Sequence, residues 1–371
     1  MDHFQFSSKF AKLRKDLRVT QADIAEFLGV SRAAVSKWEK GQSYPDITLL
    51  PKLASFFNIS IDDLLGYNPQ MTKEQIRRTY MELSRQFAEK SFEEVEIEIE
   101  KLLEEYYSCF PFVLCMAQLY LNYVPKSPNK QKTYGRIIEL CSRVKMYSED
   151  FAFINEANTM EAIAFLQLGK PERALELLGN DINSPSETNQ LIAQAHQMLG
   201  NHEKALEIIQ VSYYQNLMQL ISYATMAMMS ELENMDYVDE TVRKVRGLIQ
   251  LFDLESLNFN ICLIFYYKAA VAFALEGRWE PSMEMLGLYS KLCRKINFPI
   301  RLEGNSYFYL LNQWIEKTSL IGAGSPRDEQ SIRKDLVLTI FREPAFAPLK
   351  ENTSFRAMIL NLASYLNRSE E

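Results

Sequence analysis

The sequence predicts an all-α protein, with a small helical domain at the N-terminus followed by a longer array of helical hairpins. Two short amphipathic helices joined by a tight glycine turn are predicted within residues 20–41. Apolar residues keep helical spacing over most of the remaining chain, and a helix-Gly-helix segment recurs beyond residue 150. Because 371 residues exceed what one compact core normally holds, we expect two or more domains.

The first helix of the pair is predicted to begin after Thr20, a residue type that favours helix N-caps. Gly29 suits the left-handed turn that ends such a helix, and Ser31 can cap the next one. Val35 and Trp38 then give the second helix its own buried stripe. Two helices joined this tightly cross steeply, so a small residue is needed where they touch, and Ala25 meets that need.

The outward face of the second helix carries short polar and cationic side chains: Ser31, Arg32, Ala33, Ser36 and Lys37. Such groups can approach base edges and phosphates in a DNA major groove. A preceding helix is predicted over Ser7 to Leu17, and two more follow Pro45, the last within residues 60–66. The pattern therefore predicts five helices in the first 66 residues.

This region resembles the XRE family of helix-turn-helix regulators, the phage repressor and Cro class, which share a five-helix DNA-binding domain. The matches fall in order over about sixty residues, which makes the signal specific rather than a stray motif. The matching residues are Thr20, Gln21, Ala25, Gly29, Val30, Ser31, Val35, Ser36, Trp38, Glu39, Gly41, Pro45, Ser60, Asp62, Leu64 and Leu65. The alternative is a small helical domain that shares the pattern without reading DNA.

The resemblance implies that the second helix of the motif reads bases, a role that falls to Ser31, Arg32, Ala33 and Lys37. It gives Gln21 a contact to the DNA backbone at the N-terminus of the first helix, where exposed amides also favour an anion. Arg32 is the strongest candidate base reader, because a guanidinium can bind guanine O6 and N7 with two hydrogen bonds. Trp38 is expected in the core, in phase with Val35.

The net charge of −7 argues at first sight against a nucleic-acid binder. Residues 1–66, however, hold nine Lys or Arg and eight Asp or Glu, a net of +1, which leaves −8 for the remainder. A nearly neutral reading domain implies modest non-specific affinity per subunit, which favours a homodimer on two half-sites.

Residues 67–71 are predicted to be a short linker, because Pro69 interrupts a helix and no apolar periodicity is present. Residues 72–371 are assigned to the helical repeats. Capping-box patterns begin new helices at Thr72 and at Ser91. The acidic stretch from Glu93 to Glu105 alternates enough to suggest a strand, but its apolar residues also follow helical spacing, and we favour a helix.

Three segments beyond residue 150 align with one another: 161–178, 192–209 and 269–286. The alignment superposes a small residue in the first helix, a glycine turn and a small residue in the second helix, as close packing of a helical hairpin requires. Those positions are Ala162, Ala193 and Ala270; Gly169, Gly200 and Gly277; and Ala174, Ala205 and Ser282. The segments resemble the tetratricopeptide repeat (TPR), whose period is about 34 residues.

The glycines are spaced by 31 and 77 residues, so a degenerate repeat is expected between them, around residues 220–249. The tail from Glu343 to Leu349, with Phe355, resembles the closing segment of such arrays. The sequence thus predicts a TPR-like α-solenoid after the head.

A helical array of this kind offers a concave groove to a peptide or a protein. Asn158, Asn189 and Tyr266 lie in register on the first helices, and asparagine amides there can hydrogen-bond the backbone of an extended peptide. Tyr223, Tyr267, Asn305 and Tyr309 have less support as groove residues. The alternative is that all of these are solvated polar positions.

The sequence contains no catalytic, metal or cofactor-binding pattern, so we predict that the protein is not an enzyme and that it needs no cofactor. The N-terminus lacks the pattern of a signal peptide, and no apolar run is long enough to span a bilayer. The five cysteines are odd in number and scattered, as expected of reduced buried thiols. A cytoplasmic protein without a membrane segment is therefore expected.

The combination of a repressor-type head with TPR-like repeats resembles the peptide-pheromone-responsive regulators of the RRNPP group. The resemblance implies a homodimer whose repeats bind a short signalling peptide and change the arrangement of the two DNA-binding heads. One alternative is control by a protein partner on the repeats. Another is an adaptor protein whose head no longer reads DNA. The operator sequence and the sign of regulation are left open by the sequence.

Overall fold

The computed structural model describes residues 6–67, 70–179 and 188–368, and within these ranges the chain is helical and contains no β-strand. One isolated antiparallel bridge joins Arg301 to Gly324. The all-α fold class predicted from the sequence is confirmed. No helix in these ranges is both long and apolar enough to cross a membrane.

Two compact units divide the chain. The first comprises Met1–Thr72 with Leu102–Cys109, and the second comprises Lys73–Lys101 with Phe110–Glu371. The domain boundaries expected at residues 66 and 72 stay predictions, and residues 68 and 69 of the expected linker lie outside the described residues.

The N-terminal unit begins with five α-helices, as the sequence predicts. They are α1 (Phe6–Asp16), α2 (Gln21–Leu28), α3 (Arg32–Glu39), α4 (Leu50–Phe57) and α5 (Ile61–Leu65), with a short 3₁₀ helix at Ile47–Leu49 before α4. Their apolar faces meet in one core, in which Phe10 stacks on Phe6 and meets Trp38 and Phe57 edge-on. Trp38 is only 4% exposed, in agreement with the expected core position.

The second unit contains the remaining helices. The first of these are α6 (Lys73–Glu89), α7 (Phe92–Glu105), which continues into the first unit, α8 (Phe110–Tyr123) and α9 (Lys130–Tyr147). The capping box at Ser91 is present: the Glu94 amide donates to Ser91 Oγ, and the Ser91 amide donates to Glu94 Oε2 at 2.9 Å. The acidic stretch from Glu93 to Glu105 is helical and not a strand. In the helix, Val95 and Ile99 lie on the same face, and both are buried.

Helical hairpins occupy the region where the sequence repeats. They are formed by α10 (Phe151–Gln167) with α11 (Pro171–Leu178), α12 (Thr188–Met198) with α13 (His202–Ser230), and α16 (Phe259–Leu275) with α17 (Trp279–Cys293). The aligned glycines all adopt left-handed φ angles, 68° at Gly169, 77° at Gly200 and 70° at Gly277. The aligned small residues are all buried. The three segments thus fold alike, and their assignment as TPRs stays a prediction.

The degenerate repeat expected between the second and third hairpins takes an unforeseen form. Helix α13 runs unbroken for 29 residues and then turns into α14 (Met235–Leu251), which is followed by α15 (Leu254–Leu257). Residues 220–249 therefore comprise the second half of one long helix and the helix after it.

The C-terminal helices close the core of the second unit. They are α18 (Leu311–Thr318), α19 (Glu329–Arg342), a 3₁₀ helix (Pro344–Glu351) and α20 (Thr353–Arg368). Phe346, Leu349 and Phe355 from the predicted closing segment are buried in the same cluster as the third hairpin.

Candidate nucleic-acid interface

Helix α2 is held at both ends by its own sequence. The Asp23 amide donates to Thr20 Oγ1 at 3.2 Å, and the Thr20 amide donates to Asp23 Oδ2 at 2.7 Å, which completes a capping box. Gly29 ends the helix with φ at 70°, a conformation that glycine adopts without strain. These local bonds fix where α3 must begin.

Helix α3 is oriented by burial of one face. Ser31 Oγ accepts a hydrogen bond from the Ala34 amide at 3.2 Å, which caps the helix N-terminus. Val35 and Trp38 are buried against the core, and Ala25 of α2 is buried beneath them with 5% exposure. With that face fixed, the opposite face of α3 points to solvent.

The predicted base-reading residues lie on this opposite face. Arg32, Ala33 and Lys37 are exposed, Ser31 is exposed while its hydroxyl caps the helix, and Ser36 is half-buried. Neither the Arg32 nor the Lys37 side chain has a hydrogen-bond or ion-pair partner among the residues that the structure describes. Two cations therefore lie on one helix face with no counter-charge in the described part of the chain, an arrangement suited to an external anion.

Gln21 is engaged by a group that the sequence reasoning missed. Its side-chain amide donates to Glu39 Oε2 at 2.6 Å, across the gap from the start of α2 to the end of α3. Arg14 of α1 pairs with the same carboxylate and also donates to the Val19 carbonyl at 2.9 Å. The three side chains tie α1, α2 and α3 together, and the contact of Gln21 with DNA backbone stays a prediction.

The Glu39 carboxylate stays ionised despite its partial burial. Burial acts to raise the pKa of Glu39, but the hydrogen bonds from Arg14 and Gln21 outweigh it and hold the pKa below its ordinary value. No spacing rule pairs Arg14 with Glu39, because the partners are 25 residues apart and meet only through packing of α1 on α3. The sequence identifies Glu39 only as part of the family pattern.

The predicted groove residues on the repeats have unequal surroundings. Asn158 is half-buried on α10, and Asn189 is exposed on α12. Tyr266 differs from expectation: it is only 3% exposed, and its hydroxyl donates to Glu255 Oε1 at 3.0 Å. Its ring faces α14 and α17, whereas the next residue, Tyr267, lines a separate cavity.

The groove residues with less support from the sequence also differ in their surroundings. Tyr223 and Tyr309 are 65% and 55% exposed. Asn305 uses its side-chain oxygen to accept bonds from the amides of Tyr307 and Phe308, so it stabilises a turn. These positions do not form one continuous polar strip.

Comparison with known proteins agrees with the helices of the N-terminal unit. The Helix-turn-helix family model matches residues 10–64. The HTH-type transcriptional activator BcrR of Enterococcus faecalis is 44% identical over 62 residues, which cover 17% of this chain and 30% of that protein. The cryptic phage CTXphi transcriptional repressor RstR of Vibrio cholerae is 36% identical over 62 residues, 17% of this chain and 55% of the repressor.

A third relative is matched over most of its length. An uncharacterized HTH-type transcriptional regulator of Methanocaldococcus jannaschii is 43% identical over 49 residues, which cover 13% of this chain and 74% of that protein. The fold and the exposed face of α3 define a helix-turn-helix protein. Through its N-terminal part, the chain belongs to the family of HTH-type regulators.

The chain spans about a third and about a half of the length of the first two relatives. No solved structure matches the chain significantly.

Proposed function

We propose that this protein is a transcription regulator that binds DNA in a sequence-specific way through α3. The observation that carries the proposal is the fixed orientation of this helix. Val35 and Trp38 pack one face into the core, and on the opposite face Arg32 and Lys37 have no hydrogen-bond or ion-pair partner among the described residues. Arginine can bind guanine with two hydrogen bonds, and lysine can bind a phosphate.

The charge distribution supports a homodimer. The first 66 residues carry a net charge of only +1, so the electrostatic attraction of one head for DNA is weak. Two heads on two half-sites double the number of base and phosphate contacts, as in many helix-turn-helix proteins.

We further propose that the repeats sense a ligand, with a short apolar peptide as the first candidate. Helix α12 carries no Asp, Glu, Lys or Arg, although 24% of the chain is charged. It exposes Asn189 together with Leu191 and Ile192, which are 60% and 42% exposed. Asparagine can bond a peptide backbone while neighbouring apolar groups contact its side chains.

A ligand can regulate DNA binding only if it favours one arrangement of the heads over another. A protein partner on the repeats is the second candidate. Met198 and Leu199, at the end of α12, are 83% and 74% exposed, and adjacent exposed apolar side chains are typical of protein-binding surfaces. An adaptor with an inactive head has less support, since such a head would not need unpaired cations on α3.

The test is a selection of bound duplexes from a random DNA pool with the full-length protein at a fixed, near-physiological salt concentration. We expect an enriched motif with two half-sites. Absence of any enrichment by the folded protein, with and without added peptide, would contradict the proposal.

A further inference from the structure

A cavity of about 650 Å³ lies in the second unit between α16 and α19. Its volume is within the range of about 300 to 1,000 Å³ that is typical of small-molecule sites. It is separate from Asn158, Asn189 and Tyr266, none of which lines it.

The two helical walls follow the same periodicity. Helix α16 contributes Asn260, Leu263, Ile264 and Tyr267, and α19 contributes Ile332, Asp335, Leu336 and Thr339. In each helix these positions are i, i+3, i+4 and i+7, so each wall is one continuous helix face. The segments around 300–302 and 319–327 form a third wall, joined by the bond from the Leu302 amide to the Ala323 carbonyl at 2.8 Å.

Apolar side chains dominate the lining. Ile264 is 45% exposed although it lies in the middle of a largely buried helix, and Tyr267 is half-buried. Further apolar lining comes from Leu257, Phe259, Tyr289, Ile300, Leu302, Ile321 and Pro326. Covering such surface is favourable by about 25 cal/mol per Å², so an apolar ligand body would bind here.

The charged groups of the lining are Arg301, Arg327 and Asp335. Asp335 Oδ2 already accepts a bond from Arg327 Nη2 at 2.5 Å. Arg301 pairs at the rim with Glu303 at 3.3 Å and with Glu316 at 3.8 Å. A cationic ligand would therefore find no lining carboxylate without a guanidinium partner.

Arg327 retains donor capacity at this wall. A guanidinium has five N–H donors, and only Nη2 of Arg327 has an acceptor among the described residues. Nε is buried, whereas the side chain as a whole is 23% exposed, so a ligand oxygen would approach the Nη donors of the guanidinium. Guanidinium donors bind carboxylates and phosphates through charge-assisted hydrogen bonds, which are about twice as strong as neutral ones.

We propose that this cavity binds a ligand with an apolar body and a terminal carboxylate, which pairs with Arg327. The inference rests on the proposed function in one respect, because it assigns this site as a sensor of the regulator. A fatty acid and the C-terminus of an apolar peptide share this chemistry.

Titration calorimetry of the full-length protein with decanoate, decanol and decylammonium, each below its micelle concentration, tests the charge preference. We expect decanoate to bind about tenfold or more tightly than decanol, since a hydrogen bond to a charged group is gained. Decylammonium should bind more weakly than decanol. Equal affinities for the three compounds, or no binding of any, would overturn the proposal.

Substitutions locate the site. Arg327→Met should remove the preference for decanoate over decanol, while Arg327→Lys should keep part of it. Ile264→Trp should fill the cavity and weaken both compounds. Ile97→Trp, at a side chain that is 71% exposed on α7 and does not line the cavity, is the matched control and should change neither. If Arg327→Met fails to fold, the affinities of the wild-type protein for the three compounds still test whether the cavity prefers a carboxylate. Unchanged decanoate affinity in folded Ile264→Trp would contradict the location.

Two further probes distinguish the sources of the carboxylate. The peptide Leu-Val-Leu-Phe with a free C-terminus is compared with the same peptide carrying a C-terminal amide. Tighter binding of the free acid, lost in Arg327→Met, supports a peptide ligand, whereas binding of decanoate alone supports a fatty acid. DNA selection is scored separately, so a protein that enriches a DNA motif but binds none of these probes refutes this inference and leaves the proposed function standing.

Discussion

Arg32 is the side chain on which the proposed base recognition depends most. It is exposed, it has no hydrogen-bond or ion-pair partner among the described residues, and it follows Ser31, which caps the N-terminus of α3. We expect Arg32→Ala to lose about 1 to 3 kcal/mol on the selected duplex and to relax the base preference at one position of each half-site. Fluorescence anisotropy on the selected duplex and on single-base variants measures both effects.

Lys37→Ala is the matched comparison, because lysine at this position is expected to bind a phosphate rather than a base. It should weaken all duplexes about equally and lower the slope of log affinity against log salt by about 0.9 per subunit. If Arg32→Ala weakened matched and mismatched duplexes to the same extent, its role as base reader would be wrong.

Glu39 makes the stability of the head dependent on pH. Its folded-state pKa lies below the ordinary value because hydrogen bonds from Arg14 and Gln21 outweigh the effect of burial. The stabilisation is therefore complete above the unfolded pKa of about 4.3 and is lost as the pH falls through the lower folded value. Glu39→Gln should destabilise the head by about 1 kcal/mol at neutral pH, with a smaller difference in acid.

Amide hydrogen exchange of the full-length protein, measured on proteolytic fragments that cover residues 21–57, reports this local stability. Exchange of the repeat helices serves as the internal control, because the hydrogen bonds of Glu39 join α1, α2 and α3. A difference between wild type and Glu39→Gln that stayed constant from neutral pH down to the acid range would contradict the ionised pair.

The cysteines are predicted to be inert in the folded state. All five are buried and free, and burial raises the pKa of Cys141, Cys262 and Cys293 to about 12. At a pH of about 8 these three thiols are almost wholly protonated, and all five cysteines are buried, so iodoacetamide should label the native protein at least about a hundredfold more slowly than the urea-unfolded protein. Rapid labelling of any one cysteine in the native protein would show an opening that the packing does not predict.

The glycine turns of the hairpins are needed for their backbone conformation and not for space. Gly277 has a φ of +70°, and a Cβ atom there would meet nothing within 4 Å, so the cost of a side chain is conformational. We expect Gly277→Ala to destabilise the second unit by about 1 kcal/mol. Urea unfolding followed by circular dichroism measures the change.

Gly247 provides the matched control in the same unit. It lies within α14, it has no positive φ, and a Cβ atom there also meets nothing within 4 Å. Gly247→Ala should stabilise the protein by about 0.5 to 1 kcal/mol, because alanine favours a helix. Equal effects of the two substitutions would refute the left-handed turn as the reason for Gly277.

Helix ends that depend on local sequence could be predicted well. Thr20, Gly29 and Ser31 act on residues within one turn, and the structure places the ends of α2 and α3 beside them. The sequence does not predict the length of α13, because the spacing of the aligned segments indicates a degenerate repeat around residues 220–249. The helix instead continues without a break to Ser230. Side-chain caps determine boundaries, whereas packing between repeats determines helix length.

Contacts between distant parts of the chain account for what the sequence left out. The Arg14–Glu39–Gln21 network and the cavity between α16 and α19 each join elements that no periodicity relates. The register with Asn158 and Asn189 predicts Tyr266 in the groove, but Tyr266 is buried and the next residue, Tyr267, lines the cavity. A one-residue shift on a helix is a turn of about 100°, which periodicity in a weak repeat does not resolve.

The division of charge between the two parts of the chain bears on assembly. A head with a net charge of +1 should gain much of its affinity from a second head. We expect scrambling of one half-site in the selected duplex to weaken binding of the full-length protein by more than about a hundredfold, as expected when one of two recognition helices loses its contacts. Scrambling the spacer between half-sites is the control, and an equal loss there would argue against two equivalent heads.

The most direct test of the account is the ratio of affinities of the full-length protein for its selected duplex and for a scrambled duplex of equal length, at one salt concentration. If α3 reads bases, the ratio should be about 10³ or more, and Arg32→Ala should reduce it. A ratio near one for the folded protein, measured with and without the peptide Leu-Val-Leu-Phe, would contradict the account. It would mean that the head does not distinguish DNA sequences and that the repeats carry the function.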